Sequence, residues 1–288
     1  MKRHRNRCKE IEKRYWHGNY GTVLLFPGYR KANGRSKKFK PSSETQKRLN
    51  DFNAQEKFRM LIDNNFTSSD VELQLGFDIP PLTYEECLHC IQKYLRRVRN
   101  YYRNTFDVKV KYVGVIEKGV RLGKFHAHIT MNIPEPSRRG EIREHLEDLW
   151  EYGTARTFKL EFNEEGMKGL AKYLVCNPDK PEVEGRVKRW IQSKGLKRPK
   201  VSERTGRISF EKAKKIISGE ITERDLEPLY PGYTVTYIEQ YGYKKKTDSD
   251  TYYKQDGAYV RIYLCKKERD RYGQDTAHKR GRVPCSYT

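Results

Sequence analysis

Apolar and polar residues alternate along this chain with two different periods. Alternation at every second residue indicates a strand with one buried face, whereas apolar residues three and four positions apart indicate one face of a helix. Strand patterns occur in residues 70–77, 109–117, 124–133, 154–162, 233–241 and 257–265, and the apolar run at 22–28 is typical of an edge strand. Helix patterns begin at Ser42, at Thr83 (a capping box with Glu86), and span 137–149, 163–175 and 209–218. The pattern predicts an α+β fold.

The composition points to a polyanionic partner. The chain has 60 Lys and Arg against 38 Asp and Glu, a formal net charge of +22, together with 21 Tyr, 11 Phe and 3 Trp. Cations neutralise phosphates while aromatic rings stack on unpaired bases, so this mixture favours single-stranded nucleic acid. The basic residues that we expect to contact it are Arg96 and Arg97 on a helix, Lys197, Arg198 and Lys200 in a loop, and Lys244, Lys245 and Lys246 among tyrosines.

A pair of histidines in the stretch FHAHITM predicts a metal site. His126 and His128 are two residues apart in a strand pattern, so their imidazoles lie on one face and can reach the same divalent ion. If the preceding strand forms a hairpin with this one, Glu117 lies nearly opposite His126 and supplies a carboxylate ligand. The alternative is that both histidines are simply solvated.

The helix predicted at 163–175 carries the candidate nucleophile. Tyr173 lies at the border of its apolar stripe, with Gly166 and Gly169 on the same side. Glycine destabilises a helix by about 1 kcal/mol relative to alanine, so we interpret the two glycines as room for a phosphodiester or for the metal strand. Lys172 is the candidate cation that assists the tyrosine. A tyrosine at the edge of a weak helix is the alternative.

Motif order and content resemble the HUH endonucleases, and within them the single-tyrosine rolling-circle replication initiators of bacterial phages, plasmids and mobile elements. The resemblance runs from about residue 40 to 200 and rests on KPSSETQKRLNDFNAQEKFRMLIDNNF, KYVGVIEKGVRLGKFHAHITMN, LAKYL and SKGLKRPK. It implies an RRM-like palm, in which helices pack on a central antiparallel sheet of about five strands. VELQLGF would be the family's first strand motif.

The resemblance also implies a chemistry. His126, His128 and Glu117 would hold Mg²⁺ or Mn²⁺, and Tyr173 would nick single-stranded origin DNA, leaving a 5′-phosphotyrosine and a free 3′-hydroxyl that starts rolling-circle replication. Many relatives have lysine three residues after the nucleophile, where this chain has Cys176. Gly169 and Asn177 stand where a second tyrosine would lie one helical turn away, so we expect a single-tyrosine cycle.

The resemblance and the charge pattern together predict four segments. They are a basic N-terminal arm and helix (1–65), an HUH endonuclease core (66–180), a basic extension with a β-hairpin (181–265) and a flexible tail (266–288). The hairpin could extend the sheet, contact the origin or mediate self-association, and its lysines and tyrosines favour DNA. We find no membrane span and expect a cytoplasmic protein of a bacterial host, acting on an origin strand or hairpin.

Other functions account for some of the same features. A relaxase or transposase would use the same chemistry on another element. A 2H phosphoesterase needs two HxT or HxS motifs, and only His128 heads one. A non-catalytic nucleic-acid-binding protein accounts for the charge but not for the trio and the tyrosine helix. No GxxxxGK[ST] motif occurs, which excludes a fused ATP-driven helicase, so we expect a host helicase and polymerase as partners.

Overall fold

The computed structural model of the chain contains two compact units, each with its own sheet. It describes residues 10–27, 44–119, 123–175, 188–241 and 259–267. One unit is Ala32–Lys200; the other joins Met1–Lys31 to Val201–Thr288. Each unit holds a five-stranded sheet, which confirms the α+β class with a central sheet but adds a second sheet that was not predicted.

The strands and helices alternate along the chain. In chain order they are β1 (Glu10–His17), β2 (Tyr20–Pro27), α1 (Glu44–Asn65), β3 (Val71–Leu75), α2 (Tyr84–Phe106), β4 (Tyr112–Lys118), β5 (Phe125–Met131), α3 (Arg139–Asp148), β6 (Ala155–Lys159), α4 (Lys168–Val175), β7 (Ile191–Gln192), β8 (Lys200–Thr205), α5 (Phe210–Ser218), α6 (Glu223–Leu226), β9 (Tyr233–Tyr241) and β10 (Tyr259–Lys266). The capping box that predicted α2 is present, with the Thr83 side chain accepting from the Glu86 backbone N–H. Within the described ranges no helix is both long and apolar enough to cross a membrane.

The sheet of the 32–200 unit has the order β6-β3-β5-β4-β7, and all four pairings are antiparallel. The hairpin of β4 and β5 pairs Glu117 with His126, as the sequence predicted. On the other side of β5, β3 pairs Gln74 with His128. Residues paired in this way share one face of the sheet.

The two faces of this sheet are covered by different helices. On one face, α2 packs its apolar stripe against Leu73, Ala127 and Ile129. On the other face, α1 and α4 pack against residues of β4, including Val115. Because side chains alternate along β5, the histidines lie on the face that carries α1 and α4, and His128 is paired there with Val115.

The other unit has the sheet order β8-β1-β2-β10-β9, with α5 and α6 against its apolar face. The predicted strands at 233–241 and 257–265 are confirmed as β9 and β10, which pair with each other. They join the N-terminal strands, so the hairpin does not extend the first sheet. Helix 209–218 is confirmed as α5, capped by Ser209.

The run at 22–28 was wrongly predicted to be an edge strand. As β2 it is the middle strand of the second sheet, paired with both β1 and β10, and Val23 and Leu25 are buried. β1 itself was missed because it places a charged residue inward. Glu12 is 1% exposed and accepts hydrogen bonds from Arg207 and Arg14, which hides the apolar alternation.

The compact units divide the chain differently from the four predicted segments. The division falls between residues 31 and 32 and between residues 200 and 201, rather than after 65 and 180. α1 belongs with the predicted core because it packs along α4. Residues 268–288, most of the predicted tail, lie outside the described residues.

Candidate active site

Three predicted metal ligands lie together at the end of the β4–β5 hairpin. One ligand atom from each of Glu117, His126 and His128 lies within 4.8 Å of the other two. Glu117 Oε2 is 3.5 Å from His126 Nε2 and 3.8 Å from His128 Nε2. Glu117 and His128 are each 3% exposed, whereas His126 is partly open to solvent. The cluster therefore has a buried base and one accessible side.

A fourth residue, Glu72 of β3, was missed from the sequence. Its Oε1 lies 2.8 Å from His128 Nδ1, and both side chains are mostly buried. A carboxylate on one imidazole nitrogen fixes the ring orientation and makes the other nitrogen a better ligand. The only sequence signal was the position of Glu72 on the polar face of an alternating strand, which does not reveal its partner.

The donor set fits a divalent cation. A hydrogen bond from His128 Nδ1–H to Glu72 leaves a lone pair on Nε2, which is buried and makes no hydrogen bond to any described residue. That lone pair faces a Glu117 oxygen, so two acceptors meet in a buried place. A cation between them removes the repulsion, and two imidazoles with one carboxylate are suitable ligands for it.

Tyr173 lies directly against this cluster. Its ring centroid is 5.8 Å from that of His128, in an edge-on arrangement, and half of the tyrosine is exposed. Partial burial raises the pKa of the Tyr173 hydroxyl, and the negative charges of Glu117 and Glu72 raise it further. The phenol is therefore neutral at pH 7, and a cation in the cluster would counter the two carboxylates.

The helix that carries Tyr173 is shorter than predicted. α4 begins at Lys168, because residues 163–166 form a turn that is held by α1. Asp63 Oδ1 accepts from Met167 N at 2.9 Å, and Arg59 donates to the carbonyl of Glu165. This buried arrangement fixes the start of α4 and hence the position of the tyrosine.

The interpretation of the two glycines was half wrong. Gly166 is not helical: its φ is +69°, and a Cβ there would lie 2.6 Å from the Asp63 carboxylate oxygens. The close neighbour is therefore α1 and not a substrate. Gly169 is helical, and a Cβ there would have nothing within 4 Å, so the space beside it is open.

Lys172 is exposed on α4, and the described part of the chain shows no contact between it and the cluster. Side chains of consecutive helical residues project about 100° apart, so Lys172 and Tyr173 face different directions. The assisting role of Lys172 stays a prediction.

The predicted DNA-contacting cations lie apart from the cluster. Arg97 bonds to Glu151 and to the carbonyl of Leu149, and its neighbour Arg96 is exposed. Both are on α2, on the opposite face of the sheet from the histidines. The exposed residues Lys197, Arg198 and Lys200 follow β7, and Asn64 and Asn65 of α1 hold the backbone of this loop. Lys244, Lys245 and Lys246 lie outside the described residues.

An accessible strip of sheet extends from the cluster toward β6. Arg156 pairs with Gln74, which pairs in turn with His128, so the three share a face. Phe158, paired with Glu72, is 41% exposed on that same face. An exposed phenylalanine and arginine beside a metal cluster are suited to stacking a base and neutralising a phosphate. The sequence analysis did not single them out, because their face depends on how β6 pairs with β3.

Residues 81–177 match the replication-associated protein family that is named for ORF2. The match spans about a third of the chain and includes Glu117, His126, His128 and Tyr173, while Glu72 and α1 precede it. No curated protein and no solved structure matches the chain. The family match supports a role in DNA replication.

Proposed function

We propose that this protein nicks single-stranded DNA at a replication origin and remains attached to it through Tyr173, initiating rolling-circle replication. The observation that carries the proposal is the contact between the half-exposed ring of Tyr173 and His128 of the Glu117, His126 and His128 trio. A structural tyrosine would bury its ring, whereas this one exposes it beside a set of metal-ligating groups.

The reaction is a phosphoryl transfer. The Tyr173 oxygen attacks the scissile phosphorus, the new O–P bond forms, and the bond from phosphorus to the 3′ oxygen breaks. The phenolic proton is lost to solvent, and the departing 3′ oxygen takes up a proton to become a hydroxyl. The downstream strand stays joined to the tyrosine through its 5′ phosphate, and the 3′-hydroxyl can prime a host polymerase.

The trio prepares the site for this attack. When bound, Mg²⁺ or Mn²⁺ polarises the phosphate and offsets the charge that develops on its oxygens. Glu117 and the two histidines would hold it, and Glu72 orients His128. Since burial and two carboxylates raise the pKa of Tyr173, a low positive charge at the trio also favours loss of the phenolic proton.

The strip formed by Gln74, Arg156 and Phe158 is the proposed path of the DNA strand next to the nucleophile. Phe158 would stack a base and Arg156 would contact a phosphate, each on the face that carries His128. Replacing Phe158 with Ala should weaken binding of a single strand by about fivefold or more, while Tyr173 remains reactive at saturating DNA.

The remaining expectations belong to this proposal. They are residues 66–180 as the HUH core, a single-tyrosine cycle that also terminates replication, and a host helicase that unwinds the origin. Relaxases and transposases use the same reaction, so the biological element is decided by the DNA that is cut.

The test is formation of a covalent adduct. The protein would be incubated with single-stranded oligonucleotides from its own element and Mn²⁺, then run on a denaturing gel beside Tyr173→Phe, His126→Ala and an EDTA control. Tyr237→Phe is the matched control, because Tyr237 is similarly exposed (44%) but lies in the other unit. An adduct that Tyr173→Phe, His126→Ala and EDTA each abolish supports the proposal. The absence of any adduct with origin DNA would favour a binding protein without catalysis.

A further inference from the structure

A polar cleft of about 860 Å³ lies beside the β7 edge of the sheet in the 32–200 unit. Its walls come from the N-terminal half of α1, from α2 and from the segment 188–192. It shares no lining residue with the trio, with Tyr173 or with the strip around Phe158. Its volume is in the range of about 300–1,000 Å³ that ligand sites occupy.

The chemistry of the cleft is one-sided. Its cations are Lys57, Lys188 and Arg189, and none of the described residues that line it carries a carboxylate. Lys57 is exposed on α1, and Arg189 bonds to Asp51, which ties the 188–190 segment to α1. A wall with cations and no carboxylate is complementary to phosphates.

Amide side chains complete the polar wall. Asn53, Gln92 and Gln192 each offer both a donor and an acceptor. The edges of unpaired bases present the same mixture of donors and acceptors, so amides can bond to them whichever base is present. This pattern does not suit an acidic peptide, which offers mainly acceptors.

Trp190 supplies a fixed ring at the edge of the cleft. Its Nε1–H donates to Gln192 Oε1 at 2.9 Å, and its ring meets Phe58 edge-on with centroids 5.5 Å apart. Phe58 is fully buried, so the indole is anchored on the core while part of it stays exposed. A ring held in this way loses little side-chain entropy when a base stacks on it.

We propose that this cleft binds a single strand of DNA, with a base stacked on Trp190 and a phosphate near Lys57. It is a second DNA site, separate from the reacting phosphate, and only the choice of a single strand as the ligand rests on the proposed nicking function. It gives a role to the basic segment around WIQSKGLKRPK, which the trio and Tyr173 leave unused.

Binding would be measured on the full chain with EDTA present, so that cleavage does not occur. The probe is a fluorescein-labelled 20-nucleotide single strand of mixed sequence, followed by anisotropy at several salt concentrations. We expect Trp190→Ala to weaken binding about fivefold or more and Trp190→Phe to weaken it less. Lys57→Ala should lower the slope of log affinity against log salt by about 0.7. Lys214→Ala, an exposed lysine of α5, is the control for net charge.

A crosslink provides a readout that does not depend on the stability of a variant. Oligonucleotides with 5-bromodeoxyuridine would be irradiated with the wild-type protein, and we expect the peptide that contains Trp190 to carry the label. Wild-type affinity in both Trp190→Ala and Lys57→Ala would overturn the proposal. So would an equal loss in Lys214→Ala, or equal competition by a duplex or by polyglutamate, because each indicates attraction by charge alone.

These outcomes are separate from those of the nicking proposal. Tyr173→Phe should bind the probe like the wild type while forming no adduct. If the cleft variants bind normally, the adduct assay is unaffected; if Tyr173 is not the nucleophile, binding in the cleft is unaffected.

Discussion

Removal of the Glu72 carboxylate should weaken metal binding without removing any metal ligand. Glu72 Oε1 accepts from His128 Nδ1 at 2.8 Å, and the two side chains are 12% and 4% exposed. In Glu72→Ala the Nδ1–H loses its acceptor in a buried place, which costs about 1–3 kcal/mol. Loss of such a supporting carboxylate lowers metal affinity or activity about 10–100-fold.

The conservative variant separates charge from shape. Glu72→Gln keeps an acceptor of the same size but loses the charge, and charge-assisted hydrogen bonds are roughly twice as strong as neutral ones. We therefore expect a loss of metal affinity of about fivefold in Glu72→Gln, smaller than in Glu72→Ala. Glu85→Gln, an exposed glutamate of α2, should behave like the wild type.

The assay is a Mn²⁺ titration of adduct formation, with direct Mn²⁺ binding measured by electron paramagnetic resonance. The half-maximal Mn²⁺ concentration should rise in the order wild type, Glu72→Gln, Glu72→Ala, while the adduct still forms at saturating Mn²⁺. If Glu72→Ala requires no more Mn²⁺ than the wild type, the role of Glu72 in orienting His128 is refuted.

Two further predictions concern the frameworks that support the units. Gly166→Ala should lower the free energy of unfolding by about 2 kcal/mol or more, since φ is +69° and its Cβ would meet Asp63 at 2.6 Å. Gly169→Ala should raise it by about 0.5 kcal/mol, and equal effects in urea denaturation would contradict this reasoning. Glu12→Gln should destabilise by about 2 kcal/mol at pH 7: burial acts to raise the pKa of Glu12, but hydrogen bonds from Arg207 and a second arginine lower it overall. A lowered pKa in the folded state stabilises above the ordinary glutamate value and is lost as pH falls through the lowered one, so a difference between variant and wild type that stays constant from pH 7 into the acid range would contradict the assignment.

Local patterns in the sequence were enough to predict the elements that bear the ligands. The alternation in FHAHITM determines which face His126 and His128 share, and the hairpin register brings Glu117 opposite His126. The capping box at Thr83 likewise marks the start of α2. These signals lie within a few residues or within one hairpin, where chain geometry alone determines the neighbours.

The parts that were missed depend on residues far apart in sequence. Glu72 acquires its role only when β3 pairs with β5, 56 residues away. The start of α4 is determined by Asp63 on α1, 104 residues from Met167, and not by the helical pattern of 163–175. The inward charge of Glu12 requires Arg207, 195 residues later. Such tertiary contacts override local propensity.

The central claim is that Tyr173 is the residue that becomes joined to DNA. The direct measurement is mass spectrometry of the adduct formed with origin DNA and Mn²⁺, after the protein is digested to peptides and the DNA to short remnants. The account predicts one modified peptide, with a 5′-linked nucleotide on the Tyr173 oxygen, and none from protein treated with EDTA. A nucleotide on another residue, or cleaved DNA with no protein-linked end, would contradict it.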